Sequence, residues 1–510
     1  MLSFWILIAG VVAWRLHTAF SHFSKVPRQV PWVQKTGFFQ PYLFSQIKGI
    51  WSTPETLDEA YKEYSVKGSI CAIALPFSRP EILLPRNLIR WITAQSEKAL
   101  SPNPIQHELI GIKYAFLNSS LQHDSAAYDV LRVQMNRQLP SLIPGIMEEI
   151  ASGIDKTFGL STEWNEVQMF VLVREVVAKA TAHLIVGDTL CHNEELIRNF
   201  SKFSSSVLPS ALAMPLFPPF LHPITSRLAA VVNHYYMRKA LKVLGPYIEQ
   251  RIIDLENDTE KRLLRQDVMT WHIEEALRKR VPRDKMADII ACRIFATLFA
   301  SIESSTLTMS HALFNLCAGD DPKQVWKALE EEGRRAFSSQ IDQASINHLE
   351  YADSAIKETL RLHATIKALS VQVMQPAGVR IKEHGLHLPQ GSRISISAWG
   401  IHHDDTIYPN AHTFDAFRFT RQIADGDDRG TKHSMASPTE KYLSFGFGKH
   451  ACPGRHFAAV ETKLFLAYLA VHYDIERVHE RPVFVRIGHL PIPPIKGRLR
   501  IRRKRDLSIG

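Results

Sequence analysis

Residues 445–455, with the sequence Phe-Gly-Phe-Gly-Lys-His-Ala-Cys-Pro-Gly-Arg, constrain the fold of this 510-residue chain more than any other segment. Their three glycines allow the backbone to approach another group closely. Pro453 predicts that a helix begins just after Cys452, because proline suits the first helical position. A helix N-terminus and nearby basic side chains stabilise a thiolate. A lone cysteine before a helix is more often an inert core residue, but this combination favours a soft metal ligand.

The composition is that of a folded protein, with 45% hydrophobic and 22% charged residues. It excludes a disordered or fibrous chain. The five cysteines are odd in number, far apart and without a Cys-x-x-Cys pair. This spacing excludes a secreted disulfide framework and a structural zinc site. A reducing compartment therefore fits the chain, and it leaves a cysteine available as a thiolate.

Basic residues exceed acidic residues by ten, and the densest basic cluster lies at residues 496–505. A basic surface can face nucleic acid, an anionic membrane or an acidic protein. No zinc-finger or RNA-binding signature accompanies the cluster, so we expect no nucleic-acid partner. The simpler interpretation of the cluster is a solvated tail.

The N-terminus is apolar and uncharged over residues 2–14, and Arg15 follows. Thirteen helical residues span about 20 Å, but continuation to Phe20 reaches the ~30 Å of a membrane core if Arg15 snorkels. A signal peptide would carry its basic residues before the apolar stretch. The pattern therefore predicts a transmembrane anchor at residues 1–20, a proline-containing hinge at 21–40 and a folded body at 41–510. Basic residues after the anchor place the body in the cytosol.

Helical periodicity dominates the body, and one interval, residues 370–399, has the alternation and turn signals of strands. No long flexible linker divides the body. The predicted fold is mainly α with small β-sheets in a single large helical domain. The predicted helices are residues 143–158, 170–186, 227–254, 285–317, 346–362 and 457–473.

The segment at residues 445–455 resembles the haem-thiolate loop of the cytochrome P450 family. Phe445, Gly448, Cys452 and Gly454 occupy the family positions. The resemblance implies a cytochrome P450 fold and a haem b cofactor (iron protoporphyrin IX) whose iron takes Cys452 as its axial ligand. The family usually has arginine where His450 stands, and we expect His450 to contact a haem propionate instead.

Two further parts of the sequence match positions of the same family. Glu358 and Arg361, three residues apart on one helical face, resemble the family's buried Glu-x-x-Arg pair, with Arg418 as its third partner. Taken alone, the pair would be a weak surface contact. The resemblance implies a structural role instead. Arg132 stands four residues after Tyr128, at the spacing of a family arginine that contacts a haem propionate. An ordinary helix-surface charge is the alternative for Arg132.

An acid and hydroxyl side chains interrupt the apolar helix predicted at residues 285–317, in the sequence Ala-Ser-Ile-Glu-Ser-Ser-Thr from residue 300. Polar groups in such a helix are costly unless they are satisfied, and a hydrated kink is one interpretation. The resemblance implies that Glu303 and Ser304 route protons to bound dioxygen. Ser304 replaces the usual threonine and Ser301 the usual glycine.

The resemblance implies a monooxygenase that inserts one oxygen atom from O2 into a lipophilic substrate. It further implies electrons from NADPH through NADPH–cytochrome P450 reductase and a single-pass position in the endoplasmic reticulum membrane. Residues 175–179 and 186–195 are similar to fungal members that oxidise terpenoids or indole-terpenoids in secondary metabolism. Two alternatives are a haem-thiolate isomerase or dehydratase that does not use O2, and a non-catalytic haem-binding protein.

Overall fold

The computed structural model describes residues 25–33, 42–75, 78–117, 124, 126–214, 217, 221–257, 266–319, 321–424 and 434–505. The helices are α1 (Tyr42–Ala60), α2 (Ile89–Ala94), α3 (Asn103–Leu109), α4 (Ile112–Ala115), α5 (Ala126–Phe158), α6 (Met169–Val186), α7 (Asp188–Cys191), α8 (Glu194–Ala213), α9 (His222–Ala229), α10 (Val231–Asn257), α11 (Val268–Arg278), α12 (Arg283–Ala318), α13 (Pro322–Ala336), α14 (Gln343–Asn347), α15 (Glu350–Leu362), α16 (Ala398–His402), α17 (Arg418–Ala424) and α18 (Arg455–His472). The strands are β1 (Cys71–Ile73), β2 (Glu81–Leu83), β3 (Leu100–Ser101), β4 (Asn165–Gln168), β5 (Ala368–Val373), β6 (Val379–Ile381), β7 (Leu386–Leu388), β8 (Arg393–Ser397), β9 (Tyr473–Ile475), β10 (Val485–Ile487), β11 (Leu490–Ile492) and β12 (Arg498–Arg503).

The 36-residue helix α12 is the centre of the helical core. It contains neither glycine nor proline, and Pro282 precedes it while Gly319 follows it, so nothing in the sequence interrupts it. It contacts α6, α8, α10, α11, α13, α15 and α18. This position explains why apolar residues occur all around α12 rather than on one stripe.

Helix α5 begins well before the predicted residue 143 and continues through Pro140 and Pro144. Each proline removes a backbone hydrogen bond from the helix. The helix persists because a stripe of buried apolar residues packs on the core, and this burial outweighs the local loss. The stripe consists of Val130, Leu131, Met135, Leu139, Ile143, Ile146, Ile150 and Ile154.

Two predicted helices are each divided in the structure. The segment at 227–254 breaks at Ala230, where the backbone (φ −89°, ψ 3°) separates α9 from α10. The segment at 346–362 breaks at His348 and Leu349, between α14 and α15. Both breaks lack glycine and proline at the dividing residues, so the sequence carries no local signal for them.

The described strands form small sheets, as predicted. The largest has the order β1-β2-β8-β5-β3, and β5 to β8 all come from the predicted strand-rich interval. Strand β2 runs parallel to β8, with Ile82 opposite Ile394, and β5 runs antiparallel to β8. The predicted mainly helical fold with small sheets is confirmed.

The basic cluster near the C-terminus is not a solvated tail over residues 498–503, because these residues form β12 between β4 and β9. Leu499 and Ile501 face the core. The alternating arginines face outward, and each forms an ion pair. The pairs are Arg498–Glu166, Arg500–Glu476 and Arg502–Asp474.

Residues 25–33 belong to the predicted hinge, and they pack against the largest sheet. Val26 and Val30 are buried in the same apolar cluster as β8. The Val33 amide donates to the Ala72 carbonyl at 3.1 Å, and the Ala72 amide donates to the Pro31 carbonyl at 2.8 Å. The predicted anchor at residues 1–20 lies outside the described residues. None of the helices in the described ranges has the length and apolar character needed to cross a membrane.

Gly400 in α16 allows Tyr61 to pack against its backbone, since a Cβ at this position would collide with the Tyr61 ring. We expect Gly400→Ala to lower the free energy of unfolding by about 1–3 kcal/mol, the usual cost of overpacking. Gly153→Ala in α5 is the control, because its added Cβ would make only ordinary van der Waals contacts, at 3.4 Å or more. It should stabilise the helix by about 0.5–1 kcal/mol. The free energy of unfolding of both variants is measured with denaturant. A change of the same sign in both would contradict this packing.

Candidate active site

The loop before α18 presents Cys452 through a series of backbone contacts. A 3-10 turn covers Gly448–His450, and the Cys452 amide donates to the Phe445 carbonyl at 2.8 Å. Gly446 has φ 78°, and a Cβ there would lie 2.8 Å from the His450 carbonyl oxygen. Helix α18 begins at Arg455, two residues after Pro453 and two residues before the predicted start at residue 457. The loop therefore folds back on itself and holds the Cys452 side chain at its tip.

Cys452 differs from the other cysteines in accessibility. It is exposed, whereas the other four cysteines are buried. A Cβ added at Gly454 would lie 4.0 Å from Cys452 Sγ, so glycine leaves that side of the sulfur open. The surrounding protein raises the pKa of the thiol overall, and the Gly454 and Arg455 amides and the Arg455 guanidinium offset only part of that rise. The sulfur is thus open to a ligand and faces groups that stabilise a thiolate.

An unpaired imidazole nitrogen lies in the same loop. Burial and the charges of Lys449 and Arg132 lower the pKa of His450, which places Arg132 near it. His450 Nε2 is buried and has no hydrogen-bond partner among the described residues. Burial raises the pKa of Tyr128, and the Cys452 charge raises it further. This part of α5 therefore lies beside the sulfur. An accessible thiol with the unpaired His450 nitrogen and the Arg132 charge nearby fits an iron cofactor that carries acidic groups.

Helix α12 has an open face in its middle. Ala300 and Ser304, one turn apart, are exposed although other helices surround α12. Ser304 Oγ donates to the Ala300 carbonyl at 2.7 Å, and Thr308 Oγ1 donates to the Ser304 carbonyl at 2.8 Å. The exposed face indicates an interior opening that a hydroxyl borders.

Glu303 points away from the open face and toward α6 and α8. Its Oε2 lies 2.9 Å from Arg174 Nη2, and its Oε1 accepts a hydrogen bond from Ser204 Oγ at 2.9 Å. Burial raises the pKa of Glu303, while Arg174 and Ser204 lower it. Sequence reasoning did not find Arg174 or Ser204. An arginine within the apolar helix 169–186 was the available signal, because it requires a buried partner.

Glu461 in α18 is a second buried acid near this helix that sequence reasoning missed. Thr181 Oγ1 donates to Glu461 Oε1 at 3.3 Å, and Ser305 also donates a side-chain hydrogen bond. Complete burial raises the pKa of Glu461 to about 8. A carboxyl group with this pKa is mostly protonated at pH 7, so it joins α6, α12 and α18 with little buried charge.

Glu358, Arg361 and Arg418 lie together in the core. Arg361 makes a bidentate pair with Glu358, at 2.7 and 2.8 Å, and Arg418 Nε lies 3.0 Å from Glu358 Oε1. Both arginines also donate to backbone carbonyls, including Arg361 Nη1 to Ala411 at 2.6 Å and Arg418 Nη1 to Pro409 at 2.6 Å. A buried ion pair needs such additional donors and acceptors to offset its loss of hydration.

A family model described as cytochrome P450 matches residues 121–496. The chain belongs to the cytochrome P450 family. It is 31% identical to the cytochrome P450 monooxygenase gloO of Glarea lozoyensis over 95% of this chain and 93% of that protein. It is 30% identical to the cytochrome P450 monooxygenase ecdH of Aspergillus rugulosus, over 92% of this chain and 91% of that protein.

Solved structures agree with this family at the level of the fold. The cyanobacterial cytochrome P450 CYP120A1, solved with retinoic acid bound, has a TM-score of 0.59 and 19% identity, covering 89% of this chain and 96% of that one. The 510-residue chain itself is therefore an oxidoreductase of the monooxygenase type, and its cofactor is haem. The cytochrome P450 fold expected from the sequence is confirmed.

Substitution of the central acid tests the buried charge network. In Glu358→Gln, the carboxylate between two buried guanidinium groups is lost, so we expect the free energy of unfolding to fall by about 3–5 kcal/mol. Glu63→Gln is the control, because Glu63 forms an exposed pair with Lys67 at 2.6 Å. That variant should lose only about 0.3–0.5 kcal/mol. Equal losses in denaturant unfolding would show that the network does not stabilise the fold.

Proposed function

We propose that this cytochrome P450 inserts one oxygen atom from O2 into a lipophilic substrate by hydroxylation or epoxidation. Its electrons come from NADPH through NADPH–cytochrome P450 reductase. The observation that carries the proposal is the accessible Cys452 sulfur, held at a loop tip between α5 and α18 with the unpaired His450 Nε2 in the same loop. The relatives in Glarea lozoyensis and Aspergillus rugulosus, both named as monooxygenases, support it.

The proposed haem site uses the predicted residues of the loop. Cys452 would hold the iron as its axial ligand, and His450 and Arg132 would bind the propionates. Gly448 and Gly454 keep the loop free of side chains, and Phe445 packs against the main core behind it. Haem bound through a thiolate supplies the oxidative chemistry, because the thiolate's electron density favours cleavage of the O–O bond.

We assign proton delivery to the middle of α12. The Ser304 hydroxyl can turn from the Ala300 carbonyl into the opening and donate a hydrogen bond there. Glu303 holds a proton more readily than an exposed carboxyl because burial raises its pKa. Arg174 competes with that proton for the same carboxylate. Movement of Arg174 away from Glu303 would therefore release the acid for proton transfer.

The substrate proposal is a terpenoid or indole-terpenoid of secondary metabolism. It rests on the likeness of residues 175–179 and 186–195 to fungal members. By analogy with the cytochrome P450 family, substrate contacts come from residues 102–116, 295–304, 365–369 and 489–491, which are mostly apolar. An apolar lining with few polar groups suits a lipophilic ligand.

We further propose a single-pass position in the endoplasmic reticulum membrane, with the body in the cytosol. The apolar residues 1–20 would form the anchor. Residues 25–33 pack on the sheet, so the membrane-spanning part would be joined to the body by a very short connection. The net positive charge of the chain suits docking with an acidic reductase.

Substitution of the sulfur tests the central assignment. We expect Cys452→Ser to abolish the red-shifted Soret band of the reduced, carbon monoxide-bound protein, because that band requires thiolate-ligated iron. Cys317→Ala removes another cysteine, which is buried in α12, and should keep the band. A thiolate spectrum that survives in Cys452→Ser would place the iron on a different residue.

Replacement of the α12 hydroxyl tests proton delivery. We expect Ser304→Ala to raise NADPH consumption per product and to release peroxide, because the hydrogen bond at the open face is lost. Ser304→Thr keeps a hydroxyl and should remain coupled. Coupling that is unchanged in Ser304→Ala would remove Ser304 from the proton path. Product formation without NADPH or O2 would identify an isomerase or dehydratase instead.

Truncation tests the membrane anchor. A chain without residues 2–24 keeps the packed residues 25–33, so we expect it to bind haem and to leave the membrane fraction. A chain without residues 2–33 should lose stability as well, because Val26, Val30 and Val33 are buried. Sedimentation with membranes after removal of residues 2–24 would contradict the proposed anchor.

A further inference from the structure

A second group of metal-binding side chains lies where α5 passes the corner between α6, α7 and α8. Glu149 comes from α5 and is 3% exposed. His183 lies in the last turn of α6, Cys191 ends α7, and His192 follows it. These residues belong to neither the cysteine loop nor the open face of α12.

The donor atoms of this corner lie close together. Cys191 Sγ is 3.8 Å from Glu149 Oε1, and His192 Nε2 is 3.1 Å from the same oxygen. Glu149, Cys191 and His192 each offer a ligand atom, and these atoms lie within 4.8 Å of one another. His183 Nδ1 lies 4.0 Å from Cys191 Sγ, so a fourth donor faces the same sulfur.

These separations are near those of a tetrahedral zinc site. Zinc binds sulfur at about 2.3 Å and nitrogen or oxygen at about 2.0–2.2 Å, which places tetrahedral donors roughly 3.3–3.7 Å apart. The distances of 3.1 and 3.8 Å from Glu149 Oε1 to the His192 and Cys191 ligand atoms therefore require only small movements. His183 lies outside the group of mutually close ligand atoms and has to turn from Asp188 to approach it. Sulfur with imidazole and one carboxylate is a donor set for zinc rather than for magnesium or calcium, which prefer oxygen alone.

The surrounding charges and hydrogen bonds orient the donors. Lys179 Nζ lies 3.0 Å from Glu149 Oε2, which leaves Oε1 facing Cys191 and His192. Asp188 Oδ1 lies 3.0 Å from His183 Nδ1, the nitrogen that faces Cys191, so this contact has to break before His183 can ligate. The Asp188 carbonyl is 2.8 Å from His192 Nδ1, which leaves His192 Nε2 facing Glu149. Outer-shell partners of this kind fix the orientation of metal ligands. The corner contains the two carboxylates of Glu149 and Asp188 but the single ammonium of Lys179, and this balance favours a divalent cation.

We propose that Glu149, His183, Cys191 and His192 bind one zinc ion that links α5 to the corner between α6 and α7. Binding displaces the Cys191 thiol proton to solvent, and His183 leaves Asp188 to become the fourth ligand. The spacing of the cysteines along the sequence gives no sign of this site, because its ligands come from separate helices and include a single cysteine. The site is independent of the haem and of the proposed function.

Metal analysis of the full-length, haem-loaded protein tests the proposal. After treatment with a chelator, the protein is dialysed against buffered zinc chloride, and zinc is measured relative to haem iron by elemental analysis. We expect one zinc per chain in the unsubstituted protein. His192→Ala and Cys191→Ser each remove a proposed zinc ligand. Each should therefore weaken zinc binding by more than the roughly 10–100-fold loss that follows removal of an outer-shell partner. His192 is exposed, so His192→Ala should remain folded.

Matched controls and a second readout make the result decisive. Cys317→Ala and His348→Ala remove a buried cysteine and an exposed histidine elsewhere and should keep the zinc. X-ray absorption at the zinc edge should show one sulfur together with nitrogen and oxygen ligands. The proposal is overturned by an unsubstituted protein that binds no zinc, by equal binding in His192→Ala, or by a zinc spectrum without sulfur.

Discussion

The ion network at Glu358 determines where the cysteine loop begins. Arg361, held by Glu358, donates to the His402 carbonyl, and His402 Nε2 accepts a hydrogen bond from the Leu443 amide at 2.9 Å. Ser444 Oγ donates to the Leu360 carbonyl at 3.0 Å, one residue from Arg361. The network is therefore connected to the two residues that precede Phe445. Because the buried charges are satisfied only in this arrangement, the start of the loop is fixed relative to α15.

Three consecutive residues of α12 point to three different environments. Glu303 pairs with Arg174 at the α6 and α8 side, Ser304 faces the opening, and Ser305 donates to Glu461 on α18. Successive side chains on a helix are about 100° apart, so one short polar segment reaches all three sides. Glu303 and Ser305 thus have partners, which offsets part of the cost of placing polar residues in an apolar helix, whereas the buried Thr306 hydroxyl that follows has none among the described residues.

The parts of the site that sequence could predict are those encoded locally. The glycines, proline and cysteine of residues 445–455 are contiguous, and the spacing of Glu358 and Arg361 places both on one face of a helix. Arg174, Ser204 and Glu461 were missed because their roles depend on contacts between helices that are distant in sequence. The same reason applies to α5, where burial against the core overrides two prolines that are unfavourable in a helix.

Buried titratable groups outside the loop give the folded state opposing responses to pH. Burial raises the pKa of Glu461 to about 8 and that of Glu332 to about 7, so the folded state keeps protons that an unfolded chain releases near pH 4.3. The two carboxyl groups therefore stabilise the folded state below about pH 4.3, and this contribution is lost as pH rises to their folded-state pKa values of about 7 and about 8. Burial lowers the pKa of His272 and His403 to about 3, so their contribution is lost as pH falls below about 6.5. Since acids and histidines act in opposite directions, the same buried core limits stability on both the acidic and the alkaline side.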